Sequence, residues 1–176
     1  FVESLLWLAR FDSKRAQIKT RPFELTDTVA DVVRVFPAEE AERIRLGLGH
    51  DHSFIQALGD RELVQIMLQN LARNALRYSS SDTGVDIRVT SQNGTVTVEV
   101  QDRGDRIPQE HLDRVFSRFY RVDKSRSRET GGSGLGLAIV DEIATAHGIE
   151  VSLQNHPDSG VLASFSLPVA PPVTSS

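Results

Sequence analysis

The sequence contains no cysteine, which excludes disulfide bonds and thiolate metal sites and fits a reducing compartment. It also lacks any apolar run near the roughly 18 residues that a bilayer span requires. Basic residues are not in excess: the formal net charge is -4, so no overall attraction to nucleic acid or anionic membrane is expected. The chain starts at Phe1 without a signal peptide, which indicates a piece of a longer protein.

What remains is the composition of a globular domain. The 176 residues are 39% hydrophobic and 25% charged, which is enough for one domain with a substantial core. Apolar residues at helical spacing near the start predict the stub of an upstream helix at 1–15. We expect the main domain at 16–168 and a disordered tail at 169–176.

Periodicity and turn signals predict a two-layer sandwich. Thr26 is predicted to cap one helix, and a long helix follows Asp60 and runs to about Tyr78. Asn93-Gly94 joins two alternating runs into a hairpin. Further elements are strands near 44–48, 151–153 and 161–167, a short helix after Pro108, and a helix from Gly134 to Ala146 that ends at Gly148. The expected fold class is α/β (α+β), with a mixed, mostly antiparallel sheet and helices packed on one face.

Two amides occupy the inward face of the long helix, where leucine would be expected. At about 100° per residue, Asn74 projects between Leu63 and Met67, and Asn70 lies beside them. Burying an amide without partners costs about 1–3 kcal/mol, so something polar should meet them. Two interpretations stay open: the amides cap neighbouring backbone, or they meet a hydrated Mg²⁺, which prefers oxygen ligands, with Arg77 near phosphate.

Two glycine-containing segments follow. Asp102-Arg103-Gly104 comes directly after a predicted strand; this is common in plain turns, but a buried carboxylate there can also accept from an adenine amino group. Residues 131–137, Gly-Gly-Ser-Gly-Leu-Gly-Leu, lead into a helix whose amino end favours phosphate. No strand precedes this run and no Lys-Ser/Thr follows it, which argues against a Rossmann site and a Walker A loop.

The loop before these glycines is strongly basic and has no periodicity. A solvated charge run is the usual explanation. Because glycine-rich turns flank it, we interpret it as a mobile lid over polyphosphate at about 117–133. Its basic residues are Arg118, Arg121, Lys124, Arg126 and Arg128.

Four segments in this order resemble the sequence boxes of the catalytic and ATP-binding domain of sensor histidine kinases. Residues 70–78 (Asn-Leu-Ala-Arg-Asn-Ala-Leu-Arg-Tyr) resemble the N box, 102–104 the first glycine box, 116–121 (Phe-Ser-Arg-Phe-Tyr-Arg) the F box, and 132–140 the second glycine box. Each motif alone is weak to moderate, but four in order are highly specific. The resemblance covers about 22–168, and residues 5–12 look like the end of the dimerisation helix.

The resemblance implies a Bergerat fold of the GHKL superfamily and transfer of the γ-phosphoryl group from Mg-ATP to a histidine of the dimerisation domain, then to a response-regulator aspartate. It also implies a cytoplasmic domain of a membrane-anchored, homodimeric bacterial kinase, with no nucleic-acid partner and with a monomeric isolated fragment. The implied catalytic residues are Asn70, Arg77 and Arg121, with Arg121 at the γ-phosphate; the implied metal ligands are Asn74 and Asn70. The implied nucleotide-binding residues are Asn74, Tyr78, Asp102 (at the adenine amino group), Gly104, Ile107, Gly132, Gly134, Leu135 and Gly136.

Two residues bear on the alternatives. Gyrase-like ATPases of this superfamily carry a glutamate at the Asn70 position to activate water. An amide cannot act as a base, which favours a kinase over a GHKL ATPase or an anti-sigma-type serine kinase. The five histidines also lack the acceptor motif His-Glu/Asp-Leu-Arg-Thr-Pro, so the acceptor is expected outside this chain.

Arg106 stands where the first glycine box usually has its second glycine, which leaves a degenerate nucleotide-binding regulatory module as another alternative. An arginine forced into the left-handed region would cost about 1–2 kcal/mol and weaken nucleotide binding. The other possibilities are that Arg106 contacts a phosphate, or that the turn follows a different, unstrained path.

Overall fold

The structure is a computed structural model that describes residues 7–9, 11, 18–48, 55–122 and 133–171. Residues 7–9 and 11 are helical. The strands are β1 (Arg21–Glu24), β2 (Ile44–Leu48), β3 (Gln56–Gly59), β4 (Val85–Gln92), β5 (Thr95–Gln101), β6 (Val151–Asn155) and β7 (Val161–Pro168). The helices are α1 (Leu25–Arg34), α2 (Ala38–Ala41), α3 (Arg61–Tyr78), α4 (Gln109–Leu112) and α5 (Gly136–His147).

A five-stranded sheet in the order β2-β4-β5-β7-β6 forms one layer. Only β2 and β4 pair in parallel, and the other neighbours are antiparallel. Alternate residues such as Ile87, Val98 and Phe165 are buried in a core shared with α1, α3 and α5, whereas Arg88 on the opposite face is exposed. The expected mixed, mostly antiparallel sandwich is confirmed.

The long helix α3 begins where the sequence predicted. The Asp60 Oδ1 accepts hydrogen bonds from the amides of Glu62 at 3.1 Å and Leu63 at 3.3 Å, which satisfies two otherwise unpaired donors. Its apolar face is buried against the sheet and α5. Gly148 ends α5 in the left-handed conformation, also as predicted. Among the described residues, no helix combines the length and apolar character of a membrane span.

The amino end of α1 differs from the prediction, because Glu24 and not Thr26 is its cap. The Glu24 Oε1 accepts from the Thr26 amide at 3.1 Å. The helix starts at Leu25, so Thr26 already lies in the first turn. Before it, β1 pairs with β3 in a small antiparallel sheet that no sequence pattern had indicated.

Both ends of the described chain attach to this domain. Leu8, in the segment assigned to the upstream helix, is 3% exposed and belongs to the main hydrophobic cluster. Val169 and Ala170, in the segment expected to be a disordered tail, donate to the carbonyls of Gly94 and Gln56, each at 2.9 Å. Residues 1–6, 10, 12–17 and 172–176 lie outside the described part of the chain.

Candidate functional site

The Asn70 amide of α3 lies where this helix passes the amino end of α5, and Asn74 follows one helical turn later. The Asn70 Nδ2 donates to the Ile66 carbonyl at 2.8 Å, so the amide caps backbone of its own helix. Its Oδ1 faces the other way: a Cβ placed on Gly136 would lie 3.1 Å from it. Asn74 is half-buried and makes no hydrogen bond within the described part of the chain. Residues 70–78 and 132–140 therefore meet at the Asn70 amide oxygen.

The carboxyl end of α3 contacts the first glycine box. Tyr78 is 51% exposed, and the Arg77 guanidinium carbon lies 5.8 Å from the centre of its ring. A Cβ on Gly104 would lie 2.0 Å from the Tyr78 carbonyl oxygen, a distance that real Cβ atoms do not reach. Only glycine allows this approach, which brings the segment after β5 against the last turn of α3.

Asp102 is fixed through one carboxylate oxygen. It is 6% exposed, and its Oδ1 accepts from the amides of Gly104 at 2.8 Å and Val161 at 3.3 Å. Burial raises the pKa of the Asp102 carboxyl above its usual range, against the effect of these two backbone hydrogen bonds. Within the described part of the chain, Oδ2 makes no hydrogen bond, so it can accept from a ligand.

The two ends of the predicted lid touch. The Phe119 amide donates to the Gly134 carbonyl at 2.9 Å, and both residues have positive φ, 63° and 69°. A Cβ on Gly134 would lie 2.9 Å from the Phe119 carbonyl carbon, so glycine is required at this crossing. Lys124, Arg126, Arg128 and Gly132 lie outside the described residues.

The remaining predicted residues around the lid have different environments. Arg118 forms an ion pair with the Glu142 Oε1 of α5 at 2.8 Å, and Arg121 is half-buried. The Leu135 side chain is fully buried, so only its backbone can contribute to a phosphate site. A 2.5 Å hydrogen bond joins the Tyr120 hydroxyl to His111 Nδ1 and anchors the start of the predicted lid to α4.

The strain prediction for Arg106 is wrong. Among the described non-glycine residues, positive φ occurs only at Asn93 and Phe119, so Arg106 has an ordinary backbone conformation. The turn follows a different path from the one that would need glycine. The Arg106 guanidinium donates to the Pro157 carbonyl, in the connection between β6 and β7.

Three residues that no sequence pattern assigned to the site support it: Arg43, Asn155 and Gly160. A Cβ on Gly160 would lie 2.2 Å from the Asp102 carbonyl oxygen, and Asn155 contacts the backbone of Ile107. The Arg43 guanidinium donates to the Ser80 carbonyl at 2.8 Å, beyond the carboxyl end of α3. No local pattern links residues this far apart in sequence.

A family comparison agrees with this arrangement. The family model for histidine kinase-, DNA gyrase B- and HSP90-like ATPases matches residues 59–171. The chain therefore belongs to this family. The match runs from just before the start of α3 to just beyond β7.

The most informative relatives are sensor histidine kinases. The chain is 42% identical to the sensor-like histidine kinase SenX3 of Mycolicibacterium smegmatis over 66% of its length, which is 30% of that protein. It is 34% identical to the sensor histidine kinase WalK of Bacillus subtilis over 95% of its length, which is 28% of that protein. The chain thus spans about a third of the length of the curated relatives it matches.

Solved structures show the same fold. The catalytic domain of histidine kinase ThkA superposes with a TM-score of 0.72 at 25% identity, over 86% of this chain and 96% of that chain. Full-length ShkA, solved in complex with AMPPNP, superposes with a TM-score of 0.79 at 24% identity, over 96% of this chain and 35% of that chain.

Proposed function

We propose that this chain binds Mg-ATP and transfers the γ-phosphoryl group to a histidine of the dimerisation domain of a two-component sensor kinase, for relay to a response-regulator aspartate. The observation that carries the proposal is a pair of close approaches to α3: Gly136 at the amino end of α5 lies against the Asn70 amide, and Gly104, whose amide donates to Asp102, lies against the last turn of the same helix. The similarity to SenX3 and WalK, and the AMPPNP bound by ShkA, support it.

The Asp102 Oδ2 is suited to recognise adenine. It is a carboxylate oxygen in a buried setting, with its partner oxygen already occupied by two backbone amides. It can accept from the adenine amino group, whereas guanine would present a carbonyl oxygen there. Gly104, Ile107 and the exposed Tyr78 ring would border the same base.

The donor set fits Mg²⁺. Asn74 has no protein partner within the described residues, and the Asn70 Oδ1 points away from its own hydrogen bond. Amide oxygens together with phosphate oxygens and water are ligands that this ion prefers. When bound, Mg²⁺ would neutralise phosphate charge; Asn70 and Asn74 would hold and orient it.

Positioning and charge neutralisation are the main requirements of phosphoryl transfer. Arg77 and Arg121 would supply positive charge, with Arg121 at the γ-phosphate. The backbone of Gly132, Gly134, Leu135 and Gly136 would donate to the phosphate chain at the start of α5. Asn70 cannot act as a base, so this site favours transfer to a protein histidine over attack by water.

The partners and setting follow from the same proposal. The acceptor domain would belong to the same protein, joined through the dimerisation helix that 1–15 resembles, and the parent would be a homodimer. The segment 117–133 would close over the phosphates as a lid. We place the domain in the cytoplasm of a bacterium, beneath a membrane-anchored sensor.

Phosphorylation assays test the proposed activity. The chain alone, incubated with γ-labelled Mg-ATP, should acquire no label; mixed with the dimerisation domain, it should label a histidine there. The phosphate should be lost in acid and retained in base, as expected of phosphohistidine. Release of phosphate from ATP by the chain alone would favour an ATPase, and acid-stable label on serine would contradict the assignment.

Asp102→Asn should separate nucleotide recognition from stability. Loss of a charge-assisted hydrogen bond should weaken Mg-ATP binding by at least about tenfold. The wild-type chain should prefer ATP to GTP, and this preference should narrow in the variant because an amide can also donate. Calorimetric titrations with both nucleotides measure this, and equal wild-type affinities would contradict the role of Asp102.

The same variant should not be less stable at neutral pH. The folded-state pKa of Asp102 is raised, so its ionised form lowers the free energy of unfolding at neutral pH, and this penalty disappears as pH falls through the raised pKa. Asparagine keeps an Oδ1 that accepts from Gly104 and Val161. At neutral pH, the thermal unfolding midpoint of the variant should be equal to or higher than that of wild type. Any such advantage should disappear at acidic pH.

A further inference from the structure

The segment from Asp102 to Ile107 is held along its length by the hairpin of β6 and β7. At its start, the Asp102 amide donates to the Val161 carbonyl at 3.0 Å, and the Val161 amide donates back to the Asp102 carboxylate at 3.3 Å. Gly160, with φ of 75°, packs directly on the Asp102 carbonyl. This first attachment continues the β5–β7 ladder by one residue.

The second attachment is a clamp formed by one side chain. The Ile107 amide donates to the Asn155 Oδ1 at 2.8 Å, and the Asn155 Nδ2 donates to the Ile107 carbonyl at 2.7 Å. A carboxamide presents a donor and an acceptor side by side, which matches the N–H and C=O of one residue. Asn155 is the last residue of β6, and its side chain thus satisfies both backbone hydrogen-bonding groups of Ile107.

The third attachment uses the residue that departs from the family pattern. Arg106 lies between the other two contacts, and its guanidinium donates to the Pro157 carbonyl. Pro157 belongs to the connection between β6 and β7, which begins directly after Asn155 and ends at Gly160. A glycine at 106 would have no side chain to make this bond and would have more backbone freedom in the absence of nucleotide.

We propose that Asn155 and Arg106 are positioning residues that hold the 102–107 segment against the β6–β7 hairpin and so preorganise the nucleotide pocket. The inference rests on the proposed nucleotide binding. A loop fixed before the ligand arrives loses less entropy on binding, which raises affinity without any direct contact to the ligand. Arg106 therefore compensates for the missing glycine, and Arg106→Gly should weaken ATP binding.

Amide hydrogen exchange in the nucleotide-free chain tests the attachment itself. In Asn155→Ala, exchange of the Ile107 amide should become at least about tenfold faster, because its acceptor is gone. In Arg106→Met, the same amide should exchange a few-fold faster. Gln154→Ala, at the neighbouring exposed position of β6, and Arg34→Met, at an exposed arginine of α1, should change nothing. Unchanged exchange of Ile107 in Asn155→Ala would overturn the proposal.

Mg-ATP titrations of the same variants, well below their unfolding midpoints, test the consequence. Asn155→Ala should raise the Kd about tenfold, and Arg106→Met and Arg106→Gly about threefold, with both controls within twofold of wild type. A lowered unfolding midpoint with an unchanged Kd would mean a merely structural role and overturn the proposal. Tighter Mg-ATP binding by Arg106→Gly than by wild type would also overturn the proposal.

Failure of the proposed nucleotide binding and failure of the positioning role give different results. If the wild-type chain does not bind Mg-ATP, the proposed function is wrong, and the exchange rate of the Ile107 amide then decides alone whether the hairpin holds this segment. If the wild-type chain binds and the variants bind equally well, the function stands and the positioning role is wrong.

Discussion

Asn74→Ala is expected to reduce phosphoryl transfer to below about 1% of the wild-type rate. The Asn74 side chain is half-buried, lies one helical turn after Asn70 on α3 and has no hydrogen-bond partner in the described part of the chain, as expected of a metal ligand whose ion is supplied with the nucleotide. A methyl group cannot replace an oxygen ligand. Transfer to the dimerisation domain and ATP titration with and without Mg²⁺ measure the effect.

Two variants separate ligation from folding. Asn74→Asp keeps an oxygen ligand and should retain measurable Mg²⁺-dependent binding, whereas the alanine variant should bind ATP equally weakly with and without the ion. Gln69→Ala removes a half-buried amide from another face of the same helix and should leave transfer unchanged. Normal Mg²⁺-dependent transfer by Asn74→Ala would move the metal site elsewhere.

Gly104→Ala should weaken Mg-ATP binding by about a hundredfold or more. Its new Cβ would lie 2.0 Å from the Tyr78 carbonyl oxygen and 2.7 Å from the Tyr78 carbonyl carbon. These are backbone atoms in the last turn of α3, so either that turn or the 102–107 segment must move, and the pocket opens between them. Overpacking of this kind should also lower the free energy of unfolding by about 1–3 kcal/mol.

Gly47→Ala is the matched control for this clash. Its Cβ would meet the Arg88 Cγ at 3.2 Å, which is a flexible, exposed side chain that can turn away. It should bind Mg-ATP like wild type. Calorimetric titration and thermal unfolding of both variants give the comparison; wild-type affinity in Gly104→Ala would show that the pocket does not depend on this close approach.

Elements with local signals were predicted well. Asp60 begins α3 because an aspartate before an apolar run satisfies unpaired amides within three residues. Asn93-Gly94 forms the β4–β5 turn because both residues adopt positive φ, at 52° and 77°. The α3 amides were singled out from helical geometry alone, and Asn70 lies on the face that meets α5.

Local signals failed at three places: the β1–β3 sheet, the start of α1 and Arg106. The β1–β3 sheet joins strands of four residues each, about 30 positions apart, too short for a recognisable pattern. Thr26 has a favourable capping side chain, but α1 already starts at Leu25. Its cap is Glu24, whose carboxylate accepts from the Thr26 amide. Arg106 was expected to be strained because a glycine is usual at that place, and its backbone is ordinary.

The sequence by itself determined the family and most of the elements and supplied the candidate site residues, because capping, periodicity and the four boxes depend on residues close together in the chain. Only the tertiary structure decided how the pocket is held. Sheet order brings β5 beside β7, so Asp102 comes to lie opposite Val161, and it brings the end of β6 to Ile107. Such contacts join residues about 50 to 60 positions apart, and a linear pattern contains no record of which strands become neighbours.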